Sequence, residues 1–198
     1  MKHIALTAIF LPCLALAGSF DEGKTLGGPN SPIVIEVFSS FDCPHCKVMH
    51  DELVPQLVRD YVVAGKVYLV EREFPLAGAG HPYARDAALY ATAAARIGKH
   101  AAVADALWKN QATWALNGHV WETVATVLTA AEQKKVQTLF QDKGVEAEVR
   151  HDIDEGMQAG VDRTPTLFVT AQGRRFMLPG GMPQYELLTG VLNHYLGQ

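Results

Sequence analysis

The chain has 198 residues, 48% of them hydrophobic, and a formal net charge of −4. That length and apolar share suit one domain of ordinary size with a sizeable core. No Lys/Arg cluster stands out, so nucleic acid is not an expected partner, and no repeat, low-complexity tract or long polar linker divides the chain.

Residues 1–17 read as a secretory signal peptide. Met1-Lys2-His3 supplies a short basic region. The apolar run from Ile4 to Ala17 is too short for a comfortable membrane span and is interrupted by Pro12. Ala15-Leu16-Ala17 fits the small-x-small cleavage rule and places the mature start near Gly18. A retained anchor is the weaker reading, given that length. Pro12 stands where a lipoprotein signal wants a small residue, so Cys13 is expected to leave with the signal. Two cysteines then remain, Cys43 and Cys46, in a periplasmic or other extracytoplasmic compartment where disulfides persist. No stable membrane insertion is expected after cleavage.

Residues 18–32, rich in Gly, Pro and Ser, read as a loose arm. The β-branched and aromatic run 33–40 predicts a buried strand. Cys43-Pro44 follows, and proline is favoured at the first helical position. Cys46, Met49, Leu53, Leu57 and Tyr61 then recur at helical spacing. A kink is expected at Pro55, which removes the bond to the Asp51 carbonyl. Residues 66–74 predict a second strand, so 33–74 is a strand–helix–strand crossover with parallel strands. A loop covers 75–82. From Tyr83 to about Gly160 the chain is Ala-rich and helix-periodic, with breaks near Gly98, Asn117-Gly118 and Gly144, giving about four helices. Residues 163–170 restore strand character, Ala171-Gln172-Gly173 reads as a turn, and 174–178 as a partner strand. The C-terminal stretch is amphipathic, with Tyr185, Leu188, Val191, Leu192 and Tyr195 on one side. The order is βαβ, helical block, ββα: an α/β chain.

Cys43-Pro44-His45-Cys46, at a helix start directly after a buried strand, is a specific context for reactive thiols. Unpaired amides of the first turn and the helix dipole favour a thiolate at Cys43. Cys46, one turn in, can donate its S–H, and His45 can add a donor or a positive charge. Such surroundings lower a thiol from about 8.5 into roughly the 3.5–7.5 range. A Cys43 titrating near ~4.5 stabilises the reduced form at pH 7 by roughly 3.4 kcal/mol, making the couple about 70 mV more oxidising. By position, Cys43 is expected to be exposed and to attack, and Cys46 to be buried and to resolve the mixed disulfide. A purely structural disulfide would close a very short loop and stabilise little. A zinc site from Cys43, Cys46 and His50 lacks an obvious fourth ligand, so no metal is expected.

These residues resemble the DsbA-like branch of the thioredoxin superfamily, the exported thiol–disulfide oxidoreductases. Phe38 to Cys46 resembles the family's active-site strand and helix start. Residues 160–169 resemble the segment with its cis-proline loop, and the helical block resembles its inserted helical domain. The resemblance implies a thioredoxin fold from about 30–80 and 161–197, a helical insertion over about 81–160, and one domain across 18–198. It implies that Cys43 is the nucleophile, Cys46 the resolving thiol, and Thr164-Pro165 a cis loop opposite the sulfurs that binds substrate backbone. It further implies cysteine-containing exported proteins as substrates, a membrane redox partner that recycles the pair, and no cofactor beyond the Cys43–Cys46 disulfide. Dithiol oxidase is the leading activity. A reductase or isomerase is the runner-up, and a zinc- or partner-binding module without turnover is the alternative from another class.

One departure is visible. The family's buried acid, six residues before the first cysteine, is replaced by Val37. Glu36 is adjacent, but strand alternation points it to the other face. Val37 and Thr164 look more like the DsbC-type isomerases. Elsewhere, His81 is expected in a loop or cap, and His100, His119, His151 and His194 toward solvent. Trp108, Trp114 and Trp121 are expected in the helical core, and Asp152, Asp154 and Glu155 on a solvated helix face. Residues 178–183 are a candidate substrate groove beside the Pro165 loop.

Overall fold

A computed structural model describes residues 23–198. The expected signal, its cleavage point and Cys13 lie outside the described residues. The hydrophobic run at 33–39 forms β2 (Ile33–Ser39), the centre of a five-stranded sheet ordered β1-β3-β2-β4-β5. Strand β3 (Val67–Glu73) lies parallel to β2, with Ile33 opposite Val67, as the crossover predicted. Strand β4 (Thr166–Ala171) runs antiparallel on the other side, and β5 (Arg174–Met177) returns along it. Gln172 and Gly173, both at positive φ, make the hairpin turn.

From Gly23 on, where the structure describes it, the arm expected at 18–32 is anchored instead. Thr25–Leu26 forms β1, antiparallel to β3, and Lys24 beside it is fully buried. Its ammonium lies 2.6 Å from Asp152 Oδ2 and 3.1 Å from Glu148 Oε1. Gly/Pro composition could not show an anchor that depends on acids over a hundred residues away.

One face of the sheet buries Ile35, Val37, Leu69, Leu167 and Val169 against Met49, Leu53 and Leu57 of the helix after β2 and against Leu188 and Leu192. The latter two belong to the C-terminal helix, Tyr185–Leu196, whose apolar side faces the sheet as its periodicity predicted. The helix at 44–62 continues past Pro55. Its α turns (α1, Pro44–Val48; α2, Val54–Leu57) alternate with π turns (Met49–Leu53 and Val58–Val62). The Val54 amide bonds Met49 O, so the wider turn falls just ahead of the proline.

The helical block has six segments rather than about four: α3 (Ala84–Ala95), α4 (His100–Lys109), α5 (Gln111–Asn117), α6 (Val120–Ala125), α7 (Ala130–Phe140) and α8 (Lys143–Gln158). Asn110 separates α4 from α5, its side-chain amide donating to Ala106 O. Thr129 opens α7 with a capping box to Glu132. The break expected near Gly144 falls just ahead of it: α7 ends at Phe140, Asp142 caps α8, and Gly144 sits inside the first turn of α8. Ala91, Ala93 and Ala94 are fully buried in this block with Leu107 and Trp114. On α8, Gly156 allows close approach to the sheet, since a Cβ there would lie 2.7 Å from the Phe74 ring.

Three further expectations are corrected. His100 is buried, because it leads the inner stripe Val103, Ala104, Leu107 of α4. Asp152 is fully buried, because it falls on the Val145, Val149, Gly156 side of α8. Trp121 is only partly buried, packing on Tyr90 with ring centroids 5.4 Å apart.

Candidate active site

Strand β2 ends at Ser39, and the chain turns through Ser40 to Cys43. The Cys43 amide donates to Ser40 O at 3.0 Å, and Lys47 N–H donates to Cys43 O at 3.1 Å. Cys43 therefore caps the helix in extended conformation (φ −79°, ψ 120°), with Pro44 at its first position. Three long-range ties hold this turn. Gln111 Nε2 of α5 donates to Phe41 O (2.6 Å) and Cys43 O (3.0 Å). Leu76 N–H donates to Ser40 Oγ at 3.1 Å. His81 Nδ1 lies 2.6 Å from Asp42 Oδ2, and Ser40 Oγ donates to the same carboxylate. Ser40, Asp42 and Gln111 do not stand out in the sequence, and His81 is marked there only as a loop or cap residue, because its carboxylate partner and the carbonyls that Gln111 reaches are brought near only by the fold.

The Thr164-Pro165 bond is cis, and its loop lies over the sulfurs: Cys43 Sγ is 3.4 Å from Thr164 O. Cys43 is consequently not exposed, as a helix tip suggested, but 4% exposed, enclosed by this loop and by the helical core that includes Phe41 and Trp108. Cys46 is fully buried, and both cysteines are free thiols. Val37 lies beneath them, lining a small cavity with Cys46 and Met49. Glu36 faces the other way, to Arg72 (3.1 Å) and Arg175 (2.6 Å). Residues 178–183 do lie beside the loop, where a Cβ on Gly181 would meet Pro165 O at 3.4 Å. A groove there is lined by Leu53 and Gln56 of the active-site helix and by Met182 and Tyr185.

The two sulfurs are driven apart in acidity. The Cys46 thiol, hydrogen-bonded to Cys43, is the main influence lowering Cys43 to about 5. Burial opposes it, and Thr164 and the amides of Cys46 and His45 add to it. Cys46 is pushed up, first by burial and then by the bond and charge of Cys43. His45 contributes its amide. Its ring is exposed and, among the described residues, makes no hydrogen bond or ion pair. At pH 7 one thiolate and one thiol coexist. A Cys43 two pKa units below pH 7 stabilises the reduced form by about 2.7 kcal/mol, or roughly 60 mV toward oxidising character.

The model of the thioredoxin family matches residues 20–178. The chain belongs to the thioredoxin family, and its fold is DsbA-like. It is 24% identical over 162 residues to a "Probable disulfide bond formation protein D" of Bacillus anthracis, covering 76% of this chain and 71% of the relative. The DsbA-like fold recurs in oxidised BdbD from Bacillus subtilis, with TM-score 0.74 and 18% identity over 91% of this chain and 96% of that one. It recurs as well in alpha-DsbA1 of Wolbachia pipientis, with TM-score 0.72 and 21% identity over 88% and 90%.

Proposed function

We propose that this DsbA-like thiol–disulfide oxidoreductase works outside the cytoplasm as a dithiol oxidase, passing a Cys43–Cys46 disulfide to cysteine-containing exported proteins. The observation that carries the reading is the placement of Cys43 Sγ at the start of the helix, 3.4 Å from Thr164 O of the cis loop, where the Cys46 thiol and the helix amides favour its thiolate. A thiolate stable at neutral pH is a good leaving group and makes the dithiol the favoured state of the pair. A substrate thiolate attacks Cys43 Sγ, the Cys43–Cys46 bond breaks, and Cys46 takes up a proton. The second substrate thiol then displaces Cys43 as thiolate, leaving substrate oxidised and enzyme reduced. Thr164 O and the groove at 178–183 bind the substrate backbone, and Pro44 and His45 shape the helix start. A membrane redox partner reoxidises the pair. Export rests on residues 1–17, and no helix among the described residues is long and apolar enough to cross a membrane.

The test is the reduction potential, with parallel assays of oxidation of a reduced protein and repair of a scrambled one. Oxidation without repair supports the reading. Repair without oxidation assigns the protein to the isomerases, which the apolar Val37 and Thr164 favour as the second reading.

A further inference from the structure

Cys46 is fully buried, yet it must gain a proton when it leaves the disulfide and lose one when it attacks. Val37, beneath it, has no proton to exchange. The cavity of ≈ 20 Å³ lined by Cys46 and Val37 is also lined by Glu71 and His50, and that volume has room for about one water. Glu71 sits opposite Val37 on β3. Glu71 and His50 also line a second pocket of ≈ 120 Å³, which continues to His100 and Asp105 of α4.

The four side chains form two carboxylate–imidazole pairs. Glu71 Oε2 lies 3.3 Å from His100 Nδ1, and Asp105 Oδ1 lies 3.2 Å from His50 Nε2. Asp105 is 70% exposed and opens the row to solvent, whereas Cys46 closes its other end. The charges around Glu71 come from Glu73 on its own strand, Lys24 on the arm, and His100 and Asp105 on α4.

We propose that Glu71 is the proton acceptor and donor for Cys46, acting through water in the small cavity and exchanging with solvent along His50 and Asp105. The inference rests on the reading that Cys43 forms the mixed disulfide and Cys46 resolves it. In resolution, the Cys46 S–H proton passes by way of the water to the Glu71 carboxylate. The Cys46 sulfur bonds Cys43 Sγ, the Cys43–substrate bond breaks, and the substrate departs as thiolate. In the opposite direction the Glu71 carboxylic acid returns the proton to the departing Cys46 thiolate. Burial raises Glu71 above its ordinary value, which brings it nearer to exchanging protons at neutral pH, and lowers His50, which favours the neutral ring that can accept a proton at one nitrogen as it gives one up at the other.

The experiment mixes reduced protein with a small peptide disulfide and follows the mixed disulfide by acid quench and mass spectrometry across pH 5–9. In the native chain the second phase should rise with Glu71 ionisation and then level off. Glu71→Gln should slow that phase about 10²-fold at pH 7, the lower end of general acid–base contributions. Its rate should climb with hydroxide and show no plateau, while Glu71→Asp restores the plateau. A second phase in Glu71→Gln with native rate and pH profile overturns the relay. If Glu71→Gln does not fold, Glu71→Asp is read alone: its shorter reach must slow the second phase and not the first, and equal rates overturn the relay. Absence of the first phase in the native chain would instead defeat the reading of Cys43 itself.

Discussion

Two of the buried polar clusters among the described residues, at Lys24 and at the sulfurs, are satisfied in different ways. Around Lys24, strong partners close every strong charge. Burial alone would lower its ammonium, but Asp152, Glu73 and Glu148 outweigh burial and hold it charged. Asp152 also accepts the Glu73 amide at 3.0 Å and lies 3.4 Å from Arg72 Nη1, and Glu148 pairs with Arg96 at 2.7 Å. Burial pushes Glu73 itself up to about 8, against the pull of Lys24. At the sulfurs no cation among the described residues is in contact. The Cys43 thiolate is held by a neighbouring thiol, Thr164 and helix amides, and the cost appears as a less acidic Cys46. A closed ionic cluster ties elements together and is inert. A buried anion held only by weak donors remains available for chemistry.

The largest break falls at the sulfurs. Cys43→Ser should abolish exchange with peptide disulfides. Cys46→Ser should keep the attack and accumulate the mixed disulfide, measurable as a stable adduct mass. If the serine variant at 46 turns over like the native chain, the division of labour between the two thiols is wrong. Next in size, Asp152→Ala leaves Lys24 buried without its nearest carboxylate. Removing one member of a buried pair costs about 3–5 kcal/mol. Urea unfolding should show that loss, with little change in the acidity of Cys43.

The third prediction concerns pH. Cys43 has a folded value of about 5 against an ordinary thiol value of 9.0. A depressed acid contributes stability fully above its unfolded value and loses it as pH falls through the folded one. The reduced protein should therefore lose this contribution between about pH 9 and 5, and the oxidised protein, which has no thiol to titrate, should not. The reduction potential reports the same event. Each proton taken up on reduction contributes roughly 30 mV per pH unit to a two-electron couple. The slope should be one proton's worth above about pH 5 and two protons' worth below it. A single slope from pH 4 to 7 would remove the ionised sulfur from the account.

The first cluster could not be read from sequence, and the second largely could. The strand before Cys43, the proline after it, the two-residue spacing to Cys46 and the Thr164-Pro165 loop are all local patterns. Lys24 meets Asp152 across 128 positions, and Gln111 reaches Phe41 across 70. No period of 2 or 3.6 encodes such a pairing. A partial signal was present nonetheless. Asp152 shares a helical stripe with Val145, Val149 and Gly156, and His100 shares one with Val103, Ala104 and Leu107. A polar residue on an apolar stripe is buried and therefore partnered. Reading charge before phase placed both toward solvent.

The smallest prediction uses α8 as its own control. Asp142 and Asp152 lie on one helix and carry the same side chain. Asp142 is exposed at the N-cap, where its carboxylate accepts from Gly144 N–H at 2.7 Å and Val145 N–H at 3.3 Å. Asp142→Ala exposes those amides to water, which replaces most of what is lost, and N-cap losses run at about 1 kcal/mol. Asp152→Ala has no water to substitute, and the ammonium it leaves behind is sealed by the arm and β3. Urea midpoints should therefore differ severalfold in their shift between the two substitutions. Equal shifts would mean that solvent reaches Lys24, and the contrast between closed charge and available sulfur would lose its physical basis.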